Sequence, residues 1–394
     1  MSIESIFNIV VVSSSRTPIG AFQGSLSSLI ASQLGAKAIT GCVKNISFDP
    51  SDISEVLMGC VLTAGTGQAP ARQAAIFGGI PDTTPCTTVN KVCGSGMKAI
   101  MLGCAQLAQG EADTVLAGGM ESMTNAPYLV NKARQGLRLG HGELQDHMFT
   151  DGLEDVYSGK LMGVFAQATA DRFDISRNAM DDYALESLSR AQNAIATGLF
   201  DREITPVETV AGLVDSDELP KKAKPEKIRL LKSAFSSQGT VTAANSSSIS
   251  DGAAAVLIMR EADAIAQGLK PMARICGYHS CGTKPAEFTL APVAAISELM
   301  NKLNWKNTDV DLYEINEAFA VVTLMAIRQL GLDHSKVNIN GGACALGHPL
   351  GASGARIVVT LLHALLQKGG GKGIAALCIG GGEATALAVE VMAG

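Results

Sequence analysis

The chain has 394 residues, 47% of them hydrophobic and only 17% charged, with a formal net charge of −6. That length and apolar content supply cores large enough to stand without staples, which excludes disordered, collagen-like and small disulfide-scaffold classes. An acidic balance and 4% aromatic residues argue against a nucleic-acid surface, which needs a basic footprint and stacking platforms.

Taken in chain order, Met1–Val12 lacks a basic leader region, and its apolar stretch Ile9–Val12 is too short for a secretory signal. Ser54–Val61 follows an Asp-containing turn and reads as a buried strand ending in a loop. Cys93-Gly-Ser-Gly96 then opens an apolar helix carrying Met97, Ile100, Met101, Cys104 and Leu107, and Val115–Gly119 reads as a further strand. From Glu121 to Ser250 the composition changes, with a polar helix at Ala179–Ala196 and a charged stretch near Lys221–Lys232. Ser250-Asp-Gly252 leads into a strand at Ala253–Met259. The pattern then returns: Leu312–Phe319 as strand and loop, Gly351-Ala-Ser-Gly354 opening the helix of Ile357, Val358, Leu361, Leu362 and Leu365, then the strands Leu377–Gly381 and Ala384–Met392.

The two Gly-Ser motifs lie 258 residues apart, and Ser54–Val61 falls on Leu312–Phe319 at the same offset. The reading is a duplicated α/β unit with an insertion in its first copy. Residues 1–120 and 251–270 form the first half, 121–250 the insertion and 271–394 the second half. Alternating strands and helices favour sheets covered by helices, with the two glycine-flanked helices buried between them.

The nine cysteines contain no C-x-x-C pair, so neither a zinc site nor a thioredoxin-like dithiol is supported. Free thiols point to a reducing compartment, and the cytoplasm is the expected location. Val391–Gly394 is not a peroxisomal address, and no run of 18 apolar residues exists to span a membrane.

Five positions and one basic cluster carry candidate chemistry. Cys93 precedes a helix, where the dipole and free N–H groups can lower a thiol pKa, and Gly94 and Gly96 admit a substrate carbonyl; a buried cysteine beside a glycine turn is the equal alternative. His348, between Gly347 and Pro349, sits in the loop that the duplication makes the counterpart of the Cys93 loop, so the two loops would face a thiol with an imidazole. Otherwise it is a capping or core histidine. Cys378 ends a buried strand before three glycines whose N–H groups could face an oxyanion, or is one more strand cysteine. Asn316 and Glu317, at the end of a predicted strand, either serve a site or cap the next helix. Lys221, Lys222, Lys224, Lys227, Arg229 and Lys232 offer a local positive field to a phosphorylated substrate, or form a solvated loop. No P-loop or dinucleotide fingerprint occurs.

Cys93-Gly-Ser95, Asn316-Glu-Ala-Phe319, Gly347-His-Pro349 and Cys378-Ile-Gly380 together resemble the four active-site motifs of the thiolases. The resemblance extends along the chain through Ser15–Gly20, Gly118–Ser122 and Gly239–Asn245, and within the family it is strongest to the acetyl-CoA acetyltransferases. It implies an αβαβα sandwich of two similar halves with a loop domain inserted in the first. It also implies that Cys93 carries an acetyl group as a thioester, with its proton taken by His348, and that Cys378 moves a proton at the methyl carbon of a second acetyl-CoA. Backbone N–H groups of Cys93 and Gly380 would hold the tetrahedral intermediate, and His348 with a water on Asn316 the enolate. Coenzyme A enters as substrate, with no tightly bound cofactor and no metal.

By the same resemblance Ala243, Ser247 and Lys227 contact coenzyme A, although biosynthetic bacterial members have a serine near position 227 and an arginine near Pro220. Leu153, Met162, Phe288 and Phe319 would form the acyl pocket, and Leu161 stands where many short-chain members have histidine. Arg134–Gly140 resembles the loop that joins dimers, so a homotetramer is expected. The alternatives are a degradative 3-ketoacyl-CoA thiolase for longer or 2-methyl-branched substrates and a non-catalytic acyl-CoA- or lipid-binding relative. A ketoacyl synthase lacks the last cysteine, and a thiol-redox protein gives His348 and Asn316 no role.

Overall fold

A computed structural model describes residues 8–46 and 48–392. Nine strands form the path of one twisted sheet: β1 (Ile9–Arg16), β2 (Glu55–Gly59), β3 (Cys86–Val89), β4 (Thr114–Ser122), β5 (Ser250–Arg260), β6 (Ala273–Gly282), β7 (Leu312–Ile315), β8 (Gly371–Ile379) and β9 (Glu383–Val391). Their spatial order is β7-β8-β9-β6-β1-β5-β4-β2-β3, and Gly20–Ala21 adds a tenth strand on β5. The halves meet where β1 pairs with β6, among the described residues through Val10 with Arg274 and Val11 with Ala273. In each half two antiparallel pairings lead to a parallel one: β1-β5-β4-β2 in the first, β6-β9-β8-β7 in the second.

Helices α1 (Ala31–Lys44) and α2 (Pro70–Phe77) cover the outer face of the first half-sheet. Between the half-sheets lie α3 (Ser95–Gln109) and α8 (Leu350–Gln367), and α6 (Ala291–Leu303) with α7 (Ala320–Leu330) covers the far side. This is the five-layer αβαβα sandwich. Its central core joins Met97, Ile100 and Cys104 of α3 to Ile357, Val358 and Leu361 of α8 and to inward residues of both half-sheets. By length and composition α8 could cross a bilayer, but here it is 89% buried as the central helix of the fold.

The duplication is therefore visible, with two adjustments. At the offset of 258, Val56 matches Glu314, yet Val56 faces the outer core while Glu314 faces α8. The alignment of β2 on β7 is off by an odd number of residues, which exchanges the two faces of a strand. The counterpart of β3 also shrinks, in the second half, to the isolated bridge between Tyr313 and Val337.

The segment between β4 and β5 holds short two-stranded pieces and the helices α4 (Met162–Arg172) and α5 (Arg177–Ala196). Helix α5 begins two residues before the sequence expectation, because the Ser176 hydroxyl accepts from Ala179 N–H and caps it. Two of the short helices, Glu218–Lys222 and Pro225–Ile228, fall in the basic run.

The two central helices almost touch through their backbones. A Cβ built on Gly96 would lie 2.9 Å from Gly351 O and Ala355 N, and one on Gly354 would lie 2.5 Å from Met97 N. Gly354→Ala is expected to cost about 1–3 kcal/mol, read as a lower urea midpoint at unchanged m-value. Gly282→Ala, with no neighbour within 4 Å, is the silent control.

Candidate active site

Strand β3 delivers the chain into a tight turn, Asn90–Ser95. Asn90 Oδ1 accepts from Val92 N–H at 2.9 Å, and Ser95 Oγ accepts from Lys91 N–H at 2.8 Å while donating to Val92 O at 2.6 Å. Lys91 is paired with Glu383 across the site at 2.5 Å. Within this clamp Val92 has φ +46°, a left-handed conformation that a β-branched residue adopts only under strain of about 1–3 kcal/mol. The strained residue presents Cys93, which ends 9% exposed.

The sequence suggested that a helix terminus would lower the Cys93 pKa. Burial outweighs it: the thiol is pushed up to about 11, against the opposing pull of the Gly380 and Cys93 N–H groups. Burial pushes the Cys378 thiol, near the end of β8, far up as well, and nearby Cys93 adds to the shift.

His348 is set by the turn at Gly347 (φ +104°) and by its own N–H donating to Ser248 O at 3.0 Å. Its Nδ1 lies 2.5 Å from Ser353 Oγ, which donates to Pro349 O at 2.9 Å. A hydroxyl has one proton and here gives it to a carbonyl, so Oγ accepts from Nδ1–H and the Nε2 lone pair stays free to take a proton. Burial first, and then Arg356, push the imidazole down to about 3, so it is neutral across the working range. Ser353 lies in the Gly351-Ala-Ser-Gly354 motif, yet as a residue type it signals only a turn or helix start.

Cys93, His348, Cys378 and Gly380 line one cavity of about 240 Å³, and Leu153, Met162, Ser247, Phe288 and Phe319 line it with them. Phe149, Leu161 and Phe235 complete the apolar wall. Phe149 and Phe235, on the irregular inserted segment, carry no periodic signal that could have marked them. Phe319 packs edge-on against Phe235 (6.2 Å, 77°) and Phe288 (6.4 Å, 70°). Phe235 sits so close on Gly163 that a Cβ there would fall 2.1 Å from its ring.

Asn316 is fully buried and lies behind His348, its Nδ2 3.5 Å from both ring nitrogens, rather than in the cavity wall. Glu317 neither faces the cavity nor caps α7. It accepts from Tyr183 and Ser187 hydroxyls at 2.8 Å, from Asn338 Nδ2 at 2.8 Å and from Cys344 N–H at 3.0 Å, which bolts the insertion to the second half.

Ala243 and Lys227 lie apart from this cluster, in a second groove of about 350 Å³ with Lys222, Lys224 and Ser248. It shares the segment 243–248 with the cavity, where Ser247 faces one side and Ser248 the other. Part of the basic run is engaged elsewhere: Lys221 binds Ser216, Lys222 binds Glu218 and Arg229 binds Asp182.

The model of the thiolase N-terminal domain matches residues 9–262, and that of the thiolase C-terminal domain residues 269–391. The chain belongs to the thiolase family. It is 46% identical to an acetyl-CoA acetyltransferase of Schizosaccharomyces pombe, covering 97% of this chain and 98% of that one. It is 47% identical to acetyl-CoA acetyltransferase 2 of Arabidopsis thaliana, over 98% and 97% of the two chains. A solved structure of Acat5 thiolase from Ascaris suum in complex with coenzyme A superposes with a TM-score of 0.94 at 42% identity, covering 98% of this chain and all of that one.

Two tests address this thiolase site. With Cys93 un-ionised below about pH 11 and His348 neutral, alkylation of Cys93 by iodoacetamide should rise about tenfold per pH unit from 7 to 10. A plateau near about 8.5, the ordinary thiol value, contradicts the burial argument. Ser353→Ala removes the acceptor for Nδ1–H and should lower kcat about 100-fold with little change in Tm.

Proposed function

We propose that this thiolase is an acetyl-CoA C-acetyltransferase that condenses two acetyl-CoA molecules reversibly to acetoacetyl-CoA and CoA. The observation that carries the reading is two buried thiols and a neutral imidazole on one small cavity whose remaining wall, Ser246 and Ser247 apart, is apolar. One thiol can store an acyl group while the other moves a proton at carbon, and a water-excluding wall protects the thioester.

In the first half-reaction Cys93 Sγ attacks the thioester carbonyl as His348 Nε2 takes its proton. The oxyanion is held by the Cys93 and Gly380 N–H groups. The C–S bond to CoA then breaks, and the proton leaves with the departing thiol. In the second, the Cys378 thiol passes its proton to His348 Nε2 and, as the thiolate, removes a methyl proton of the next acetyl-CoA; the carbanion attacks acetyl-Cys93 and expels its sulfur, which takes the proton from His348. His348 and a water on Asn316 hold the enolate oxygen. The groove of Lys224 and Lys227 takes the phosphate end of coenzyme A, and Ala243 with Ser247 the pantetheine arm. The small cavity volume and the Phe288–Phe319 contact favour a short acyl group over a long one.

Leu137, Leu139 and Leu144 are 55%, 97% and 69% exposed on the inserted segment, an apolar surface that suits the tetramer contact. Light scattering should give a tetrameric mass, and Leu137→Asp with Leu139→Asp a dimeric one.

The activity is tested by CoA-dependent loss of the acetoacetyl-CoA enolate absorbance. Wild type should cleave the C4 substrate faster than longer 3-ketoacyl-CoA esters, with 2-methylacetoacetyl-CoA run beside them. Cys93→Ala and Cys378→Ser should each lose at least about 1000-fold in kcat. Acyl-CoA binding without turnover would leave only a binding protein.

A further inference from the structure

The layer behind the cavity holds a charge that the proposed reaction does not use. Arg356 is one helical turn beyond Ser353 on α8, on the same face, and is 2% exposed. Its Nη1 lies 3.5 Å from Glu314 Oε2 of β7, and its Nη2 lies 3.5 Å from Asn316 Oδ1. Nε and Nη1 make no hydrogen bond among the described residues. Of the other charges around it, Arg16 binds Glu203 and Asp217 at 2.5 and 2.7 Å, and Glu317 is occupied by the hydroxyls of Tyr183 and Ser187.

A buried ion pair with so loose a geometry does little for stability, and a well-packed apolar side chain in its place is commonly neutral or better. Its consequence for Asn316 is specific. A side-chain amide has nearly the same shape at both ends and opposite polarity, while a guanidinium carries donors only. Only Oδ1 is tolerated beside Arg356. The Nδ2 hydrogens are thereby turned toward His348, 3.5 Å from each of its two ring nitrogens.

We propose that Arg356 is a positioning residue: by claiming Asn316 Oδ1 it keeps the amide donors aimed at the imidazole side of the cavity, where the enolate oxygen forms. This rests on the acetyltransferase reading above. When Cys378 takes the methyl proton, the C–H electron pair moves onto the thioester oxygen, and that charge meets His348 and the water held by the Asn316 donors that Arg356 orients. Acyl transfer to Cys93 places its charge on the Cys93 and Gly380 N–H groups instead. Loss of Arg356 therefore separates the two half-reactions, which general damage to the fold would not do.

The test compares Arg356→Met combined with Glu314→Gln, so that no acid is left unpaired, with wild type. Exchange of acetyl groups between acetyl-CoA and labelled CoA reports acyl transfer alone, and acetoacetyl-CoA thiolysis reports the carbon–carbon step. Thiolysis kcat should fall about 100-fold while exchange stays within about 3-fold, and Arg356→Lys, which restores a donor, should recover part of the loss. Equal losses in both assays, or no loss in thiolysis, overturn the proposal. A wild type that exchanges acetyl groups but does not cleave acetoacetyl-CoA sinks the acetyltransferase reading instead. In that case, or if the double variant does not fold, a wild-type crystal structure at better than about 1.2 Å decides. Nδ2 found on the arginine side overturns the proposal; Oδ1 there upholds the orientation.

Discussion

The active centre exists because two helices come closer than side chains would allow. Gly96 and Gly354 let the backbones of α3 and α8 meet, and Gly119 seats against Gly351 O so tightly that a Cβ would fall 2.0 Å from it. Cys93 lies three residues before Gly96, and His348 three before Gly351. Fixing the helices at these points fixes the two loops, and with them the separation of thiol and imidazole. Glu121 reinforces the arrangement from beneath, its carboxylate accepting from Val61, Leu62 and Gly351 N–H groups at 2.8–3.1 Å.

Placing the chemistry between two sheets has an electrostatic price. Both thiols are pushed up and the imidazole down, all chiefly by burial. The resting pair is a neutral thiol beside a neutral base rather than a preformed thiolate–imidazolium. In the proposed reaction proton transfer then accompanies bond formation, and the N–H groups of Cys93 and Gly380 act on charge only as it develops. The same burial makes polar orientation valuable, since an amide cut off from bulk solvent cannot exchange its partners freely.

What could be read in the sequence follows from how local each signal is. The loops of Cys93 and His348 are legible because glycine, cysteine and histidine in short runs have few structural uses, and because the Gly-Ser motif occurs twice. The face of β7 was not: offset matching counts residues, whereas burial depends on parity, so Val56 and Glu314 were aligned from opposite sides of their strands. Phe149 and Phe235 reach the cavity from irregular chain and have no periodicity to betray them. Cys93 was given the helix terminus without the burial, since depth is a property of the assembled layers. Ser353 and Arg356 sat in plain view on the apolar helix, but their partners, an imidazole nitrogen and an amide oxygen, are defined only by distance.

The join between the half-sheets carries a further meaning. The halves run the same strand order outward from the β1–β6 seam and bury α3 against α8. Were they separate identical chains, the seam would be an isologous dimer interface, and symmetry would oblige both loops to present the same residue. Carrying both copies on one chain lifts that obligation. One loop is free to become a thiol and the other an imidazole, so the covalent link between the halves is what permits an asymmetric pair at a symmetric place.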